Sequence, residues 1–359
     1  MKRILVFGMS PILGGVETYI YNIAKNIDKK KYIFDYLIVG TEHSVFEEEL
    51  KKINPESKFF YAPNIKRHYI LGNKLLREFY DKCRYDCIYM NTCTAARVLY
   101  CEYSIKKYKT SLIVHSHSGN AHSTINKFSN KLFRSKITRL SKVHLACSEV
   151  AYEWMFNDKL NKKNIIPNGV DLERFCYNNE WRYDIRSQLD FSDDDIVIGN
   201  VGRLSQQKNQ LYFIELAKKL DNKYKILIIG DGELKEKIQS KIREEKLENR
   251  FRVLSAKNDL ERYYSAMDIF AMPSIFEGLP IVGIEAQAEG LPCIFSINIS
   301  PQTALSDKCT FVNLDNIGEW VSTIKKCSIE KYDGSQLVKD RGFDNMRPVK
   351  MIENILDLV

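Results

Sequence analysis

The feature that most restricts this 359-residue chain is an alternation that breaks once and then begins again. Short apolar runs at residues 3–7, 34–39, 58–61, 87–90, 112–114 and 143–147 are separated by helical periodicity at 16–27, 45–53, 69–82, 95–107 and 124–140. Several runs are almost continuously apolar, as strands covered on both faces are. Strands that alternate with helices in this way imply a parallel sheet wound with crossover helices. The turn-rich stretch 165–175 interrupts the pattern. It resumes with strands expected at 196–201, 225–229, 251–254, 269–272 and 293–295. A chain this long exceeds one ordinary core. Two α/β domains are therefore expected, at 1–170 and 171–343, with a terminal helix at 346–358 that crosses back to the first domain as part of 344–359.

Composition narrows the setting. The hydrophobic fraction is 44% and the charged fraction 28%, an ordinary globular balance. No segment reaches the roughly 20 apolar residues that span a bilayer. The opening run Met1–Gly8 is too short for a signal peptide and leads into a Gly-Gly loop, so it reads as a first buried strand. Nine cysteines are scattered, with no Cys-x-x-Cys pair and no zinc spacing. Reduced thiols in a cytosolic protein without a bound metal are the expectation. The net charge of +8 is lopsided: residues 1–170 hold 28 Lys and Arg against 15 Asp and Glu. Such a field favours phosphates, anionic lipid surfaces or nucleic acid.

Four motifs fall where strands meet helices. Gly8-Met9-Ser10-Pro11-Ile12-Leu13-Gly14-Gly15-Val16-Glu17 joins the first strand to the first helix. Its paired glycines allow close backbone approach, and a helix N-terminus suits phosphate. It is neither Gly-x-Gly-x-x-Gly nor a P-loop. Gly199-Asn200-Val201-Gly202-Arg203-Leu204-Ser205-Gln206-Gln207-Lys208-Asn209 places Arg203 and Lys208 near a strand's carboxyl edge, where open α/β sheets bind ligands. Two cations there offset the charge of a diphosphate. Pro273-Ser274-Ile275-Phe276-Glu277-Gly278-Leu279-Pro280-Ile281-Val282-Gly283-Ile284-Glu285-Ala286 is a strand, a Gly/Pro loop and a helix started by proline. Its carboxylates Glu277 and Glu285 each suit a vicinal diol, and the amides of Gly278 and Leu279 face an anion or sugar hydroxyls. Leu112-Ile113-Val114-His115-Ser116-His117-Ser118-Gly119-Asn120 ends a strand in two histidines. One of them can polarise a hydroxyl, and with no third ligand evident a metal is not expected.

Two further stretches carry charge. Residues 126–143 hold Lys127, Lys131, Arg134, Lys136, Arg139 and Lys142 with no acid, and Phe128, Leu132, Phe133 and Leu140 at spacings that share one helix face. Two readings stay open: a basic interfacial helix on an anionic membrane, or a helix packed on its own sheet with a solvated basic face. Asp193-Asp194-Asp195 matches an Asp-x-Asp metal motif but sits in a polar turn before a strand and reads as solvated.

Together these motifs resemble the retaining glycosyltransferases of the GT-B fold, the family 4 type. Four features match in order: Gly14-Gly15-Val16-Glu17, Pro167-Asn168-Gly169-Val170-Asp171, Gly202-Arg203 with Lys208, and the Glu277 to Glu285 spacing. Leu227-Ile228-Ile229-Gly230-Asp231-Gly232 is also similar. Within the family, the chain looks most like bacterial capsule and exopolysaccharide assembly enzymes. The resemblance implies two Rossmann-like domains facing across a cleft, a nucleotide-sugar donor with UDP as carrier, retention of configuration and no cofactor or metal. It implies that Gly14, Gly15 and Gly202 lie against the donor, and that Arg203 and Lys208 hold its diphosphate as leaving group. Glu285 would take the ribose hydroxyls. Glu277, with the amides of Gly278 and Leu279, would hold the donor sugar. His117 would sit at the reacting centre, with His115 the less favoured candidate. The base would lie near 255–258, where Ser255-Ala256-Lys257 stands in place of the family's usual glycine.

The residues agree with front-face substitution, because cations and helix N-termini can stabilise the leaving group and no carboxylate is placed as a nucleophile. The expected acceptor is a saccharide or lipid-linked saccharide in cell-surface polysaccharide synthesis. The protein would then be cytoplasmic and peripheral at the inner face of the cell membrane, touching it through Lys127, Lys131, Arg134 and Arg139. The rival readings are a nucleotide-sugar epimerase on the same fold, an NAD-dependent oxidoreductase using Glu42 beyond the second strand, and a non-catalytic scaffold. The oxidoreductase lacks its glycine fingerprint and leaves Glu277 and Glu285 unexplained. The basic half lacks the aromatic interleaving of a single-strand binder, so nucleic acid is not an expected partner.

Overall fold

The computed structural model describes residues 1–12, 14–65, 69–119, 124–157 and 163–359. These form two compact units: Met1–Gly169 joined by Asn345–Val359, and Val170–Asp344.

In the first unit the strands are β1 (Lys2–Phe7), β2 (Tyr32–Val39), β3 (Phe59–Ala62), β4 (Cys87–Thr92), β5 (Ser111–Ser116), β6 (Val143–Ala146) and β7 (Asn164–Ile165). They pair in parallel in the order β3-β2-β1-β4-β5-β6-β7. Between them run α1 (Gly15–Asn26), α2 (Glu47–Ile53), α3 (Tyr69–Lys82), α4 (Glu102–Tyr108), α5 (Thr124–Leu140) and α6 (Glu149–Met155). The second unit carries α7 (Asn179–Gln188), β8 (Ile196–Val201), α8 (Tyr212–Lys219), β9 (Tyr224–Ile229), α9 (Lys235–Glu244), β10 (Phe251–Leu254) and α10 (Leu260–Ala266). It continues with β11 (Ile269–Met272), α11 (Ile281–Ala288), β12 (Cys293–Ser296), β13 (Cys309–Val312), α12 (Ile317–Lys326) and α13 (Gly334–Asp340). Its parallel sheet runs β10-β9-β8-β11-β12-β13. The chain closes with α14 (Met346–Asp357).

The continuous apolar runs have a direct cause. In β1, Ile4 and Val6 enter the core on one face of the sheet while Leu5 and Phe7 enter the core on the other. In β9, Ile226 and Ile228 are divided from Leu227 and Ile229 in the same way. Helices cover both faces, so neither parity can be polar.

Helix α14 belongs to the first unit. Val349, Ile352 and Leu356 share a core with Ile20 and Ile23 of α1. Lys2 Nζ donates to the Leu356 carbonyl at 2.8 Å, and the Asp28 amide donates to Glu353 Oε1 at 2.8 Å.

The structure departs from the sequence reading in three places. The single helix expected over 95–107 divides into a 3-10 turn at Ala95–Tyr100 and α4. The Ala95 amide is taken by Asn130 Oδ1 at 2.6 Å, a tertiary bond that periodicity cannot show. Two strands were not anticipated. β7 is a two-residue strand at the start of the turn-rich stretch, and β13 is a four-residue edge strand.

In the second unit a buried charge cluster fixes α7 to the sheet. Asp268, just before β11, accepts from Arg182 Nη2 at 2.7 Å, Arg186 Nη1 at 3.1 Å and the Val197 amide at 2.7 Å. The two arginines are one helical turn apart, so one carboxylate serves both.

Candidate active site

In the second unit the residues expected at the site gather at the carboxyl edge of the sheet. β8 ends at Val201, and Gly202 follows with φ +150. The turn after β9 crosses it closely: a Cβ on Gly230, at φ +154, would stand 1.9 Å from the Gly202 carbonyl oxygen. Only glycine fits this backbone-on-backbone crossing. The loop after β8 is stitched to the loop after β11. Gln207 Nε2 donates to the Phe276 carbonyl at 3.0 Å, the Ile275 amide to the Gln207 carbonyl at 2.8 Å, and Asn209 Nδ2 to the Pro273 carbonyl at 3.1 Å. This stitching brings Lys208 Nζ to 2.7 Å from Glu277 Oε1, with both side chains mostly buried. Arg203 is exposed, and its guanidinium has no partner among the described residues. Gly278 is exposed with open space around it, while Leu279 packs against the core.

Glu285 lies inside α11 and is buried, which removes its reading as a surface carboxylate. Its Oε2 accepts from Tyr264 OH at 3.0 Å. Burial pushes its carboxyl up to about 7, against the opposing pull of the Tyr264 hydroxyl and the Arg174 guanidinium. Arg174 Nε donates to Glu261 Oε2 at 2.7 Å, and Nη2 bonds the Asn258 carbonyl. The stretch 255–258 is thus held beside Glu285's neighbours. It is also tied to the β9 turn: Lys235 Nζ reaches Ser255 Oγ and Asp231 Oδ1 at 2.6 Å each, and the Ala256 amide donates to Asp231 Oδ2 at 2.9 Å. Tyr264, Arg174, Asp231 and Lys235 carried no role in the sequence reading. Asp231 stood within the quoted Gly-Asp-Gly turn, and Lys235 four residues on was the available signal.

In the first unit, Gly14 is the N-cap of α1 with extended backbone, and Gly15 opens the helix with nothing near a would-be Cβ. Glu17 is buried in the first turn and accepts from Ser10 Oγ at 2.7 Å. Leu13 and Asn120 of the quoted motifs lie outside the described residues.

The two histidines separate by environment. His115 is fully buried, with Nδ1 2.9 Å from Tyr89 OH and Nε2 3.2 Å from the Ile166 carbonyl. His117, just past β5, places Nε2 3.0 Å from Asn91 Oδ1, and its Nδ1 is buried without a hydrogen-bond partner among the described residues. Burial lowers the His117 imidazole to about 3 and holds His115 well below the usual imidazole range, so both rings are neutral at ordinary pH. Asn91 had no sequence-level signal beyond its place at the end of the neighbouring strand.

The basic helix divides its residues. Phe133 and Leu140 pack on the core, while Phe128 and Leu132 are 71% and 65% exposed, so the single apolar stripe expected from spacing is two separate faces. Lys127, Lys131 and Arg139 are exposed. Arg134 corrects the expectation of a free cation. Its Nη2 donates to the Phe156 carbonyl at 2.6 Å and to the Glu153 carbonyl, capping the end of α6. Lys136 pairs with Glu102 at 2.6 Å. A groove of about 990 Å³ between α3 and α4, lined by Tyr69, Arg77, Tyr103 and Lys106 among others, includes none of the expected site residues.

Comparison with known proteins agrees with this architecture. Residues 13–174 match the family described as Glycosyltransferase Family 4, and residues 182–310 match Glycosyl transferases group 1. The UDP-Gal:alpha-D-GlcNAc-diphosphoundecaprenol alpha-1,3-galactosyltransferase of Escherichia coli is 32% identical over 267 residues, covering 68% of each chain. EpsF of Bacillus subtilis, named as a glycosyltransferase, is 25% identical over 99% of this chain and 97% of its own. Among solved structures, Anabaena HepE in complex with UDP and glucose superposes with a TM-score of 0.82 at 18% identity, covering both chains fully. The chain therefore belongs to the glycosyltransferases, as two Rossmann-like α/β domains of the GT-B fold.

Proposed function

We propose that this protein transfers a hexose from a UDP-sugar to a saccharide or lipid-linked saccharide, with retention of configuration and without a metal, in cell-surface polysaccharide assembly. One observation carries the donor reading. A cation and a carboxylate, Lys208 and Glu277, are held together at the carboxyl edge of a parallel sheet whose neighbouring helix buries a second carboxylate, Glu285. Exposed Arg203 and the Lys208 ammonium neutralise the departing diphosphate, and Glu285 accepts the ribose hydroxyls. Glu277, with the amides of Gly278 and Leu279, holds the transferred sugar. Gly14 and Gly15 open the N-terminus of α1 in the first unit, a backbone arrangement suited to phosphate. His117, neutral and with an open ring nitrogen, meets a sugar hydroxyl at the reacting centre.

The acceptor reading draws on two supports. The Escherichia coli relative is named for a diphosphoundecaprenol-linked substrate. Helix α5 sets Phe128 and Leu132 outward among Lys127, Lys131 and Arg139, a combination suited to an anionic lipid surface at the inner face of the cell membrane. No helix among the described residues is long and apolar enough to cross a membrane.

The deciding experiment is sugar transfer from a panel of nucleotide sugars by wild type, Arg203→Ala and Lys208→Ala, with unfolding curves as a control. Each substitution is expected to lower kcat about 10²- to 10³-fold, the scale of losing one charge-stabilising group, with the fold intact. Transfer that survives both changes in one chain refutes the reading.

A further inference from the structure

Around His117 three buried polar atoms have no hydrogen-bond partner among the described residues: its own Nδ1, Asn91 Nδ2 and Asn168 Oδ1. Asn91 and Asn168 are the two amides that touch the imidazole. A buried polar atom without a partner carries an uncompensated desolvation cost. Three on residues of one cluster mark a place that is completed by something else.

The surrounding hydrogen bonds have a direction. The Ile166 carbonyl can only accept, so His115 Nε2 carries a proton and His115 Nδ1 is the bare nitrogen. Tyr89 OH must then donate to that nitrogen, and Tyr19 OH, 3.0 Å away, donates to Tyr89. Every polar group of this lower rung is satisfied inside the unit. The upper rung repeats the offset one step along the strands. In the register of β4 and β5, Tyr89 faces Ile113 and Asn91 faces His115. Tyr89 therefore reaches the histidine two residues past its partner, and Asn91 likewise reaches His117. The rungs differ at the end. His115 has a backbone carbonyl beyond it, whereas His117 has an unpartnered Nδ1.

We infer that Asn91 is a positioning residue, whose Oδ1 accepts from His117 Nε2 and so fixes the imidazole as the Nε2–H tautomer with Nδ1 as an open acceptor for a substrate hydroxyl. The ring is held in place for this. Tyr19 packs on it at 4.8 Å between centroids and His115 at 4.3 Å. Asn91 is itself pinned by β1, because a Cβ on Gly8 would fall 2.5 Å from the Asn91 carbonyl oxygen, and Gly8 holds φ +137. The bare Nδ1 and Asn168 Oδ1 are acceptors and Asn91 Nδ2 is a donor. Two sugar hydroxyls, each donating once and free to accept, meet that demand between them. The kinetic part of this inference rests on the proposed transfer reaction; the tautomer does not.

The test is a long-range 15N–1H correlation spectrum of the full chain labelled at its six histidines, with His117 assigned by its loss in His117→Gln. The expected wild-type spectrum at neutral pH shows a protonated Nε2 and a bare Nδ1. Asn91→Asp, whose carboxylate accepts from Nε2 but lacks the Nδ2 donor, keeps that tautomer and retains more transfer than Asn91→Leu. Asn91→Leu, of similar size and unable to accept, mixes the tautomers and lowers kcat about 10- to 100-fold, the usual cost of losing a histidine's orienting partner, with donor KM unchanged. A wild-type proton on Nδ1 overturns the inference, as does an Asn91→Leu chain whose tautomer and kcat match wild type. If Asn91→Leu does not fold, a folded Asn91→Asp chain whose His117 carries its proton on Nδ1 overturns it equally. The spectra are recorded without donor, so a wild type unable to transfer sugar counts against the proposed reaction alone.

Discussion

Glu285 shows how one buried carboxylate ties binding to stability. Its folded-state pKa of about 7 lies above the usual 4.5. Between those values the folded chain binds a proton that the unfolded chain has released, so stability falls as pH rises through the window, by up to about 3 kcal/mol. Glu285→Gln removes this cost. The variant is expected to melt at a higher temperature than wild type at pH 8 and at nearly the same temperature at pH 4. The proposed ribose contact acts in the opposite sense, since only the ionised form accepts both hydroxyls. UDP affinity, measured by calorimetry, is expected to weaken as pH drops below about 7 in wild type. In Glu285→Gln it should be about 10- to 100-fold lower than wild type above pH 7, the scale of charge-assisted hydrogen bonds, and independent of pH. A variant that gains no stability at pH 8 would show that Glu285 is not desolvated as its burial implies. With the proposed ribose contact, Glu285 would be a group that costs stability and serves binding.

At the level of elements, the carboxylate before β11 is a structural keystone of the second unit. Asp268 answers both Arg182 and Arg186, and the Arg186 side chain is only 4% exposed. Asp268→Ala leaves that guanidinium buried beside carbonyls without a counter-charge. A loss of about 3–5 kcal/mol in urea unfolding is expected. Helix α5 offers a contrasting test, because Phe128 and Leu132 contribute nothing to the core. Replacing both with Ser is expected to leave unfolding within about 0.5 kcal/mol of wild type, as surface changes do. The same change should weaken sedimentation with anionic vesicles. Equal vesicle binding by this variant would remove the hydrophobic part of the proposed contact.

Across the whole molecule, the first 170 residues hold a net charge of +13 and the remainder −5. Binding to anionic vesicles is expected to fall steeply between low and physiological salt, as the Debye length shortens to about 8 Å. Binding that ignores salt would place the contact elsewhere. UDP is expected to slow amide exchange at residues 202–209, 255–258 and 277–286, and to leave the core of the first unit unchanged. Much of this design is already legible in the sequence. Continuous apolar runs announce strands covered on both faces, and glycines such as Gly202 and Gly230 mark turns whose crossing no side chain permits. The motif positions of Lys208, Glu277 and Glu285 follow from local strand–loop–helix grammar. Other features had no local signature. The partners Asn91 for His117, Tyr264 for Glu285 and Asp268 for Arg186 lie 26, 21 and 82 residues away along the chain. The spacing of Phe128, Leu132, Phe133 and Leu140 gives one helix stripe, yet packing buries two and exposes two. Periodicity and turn chemistry act over a few residues, so the sequence alone determined the elements, their order and the candidate chemistry. Burial, hydrogen-bond direction and which histidine keeps an open nitrogen depend on contacts between distant segments. Only the tertiary structure decided those.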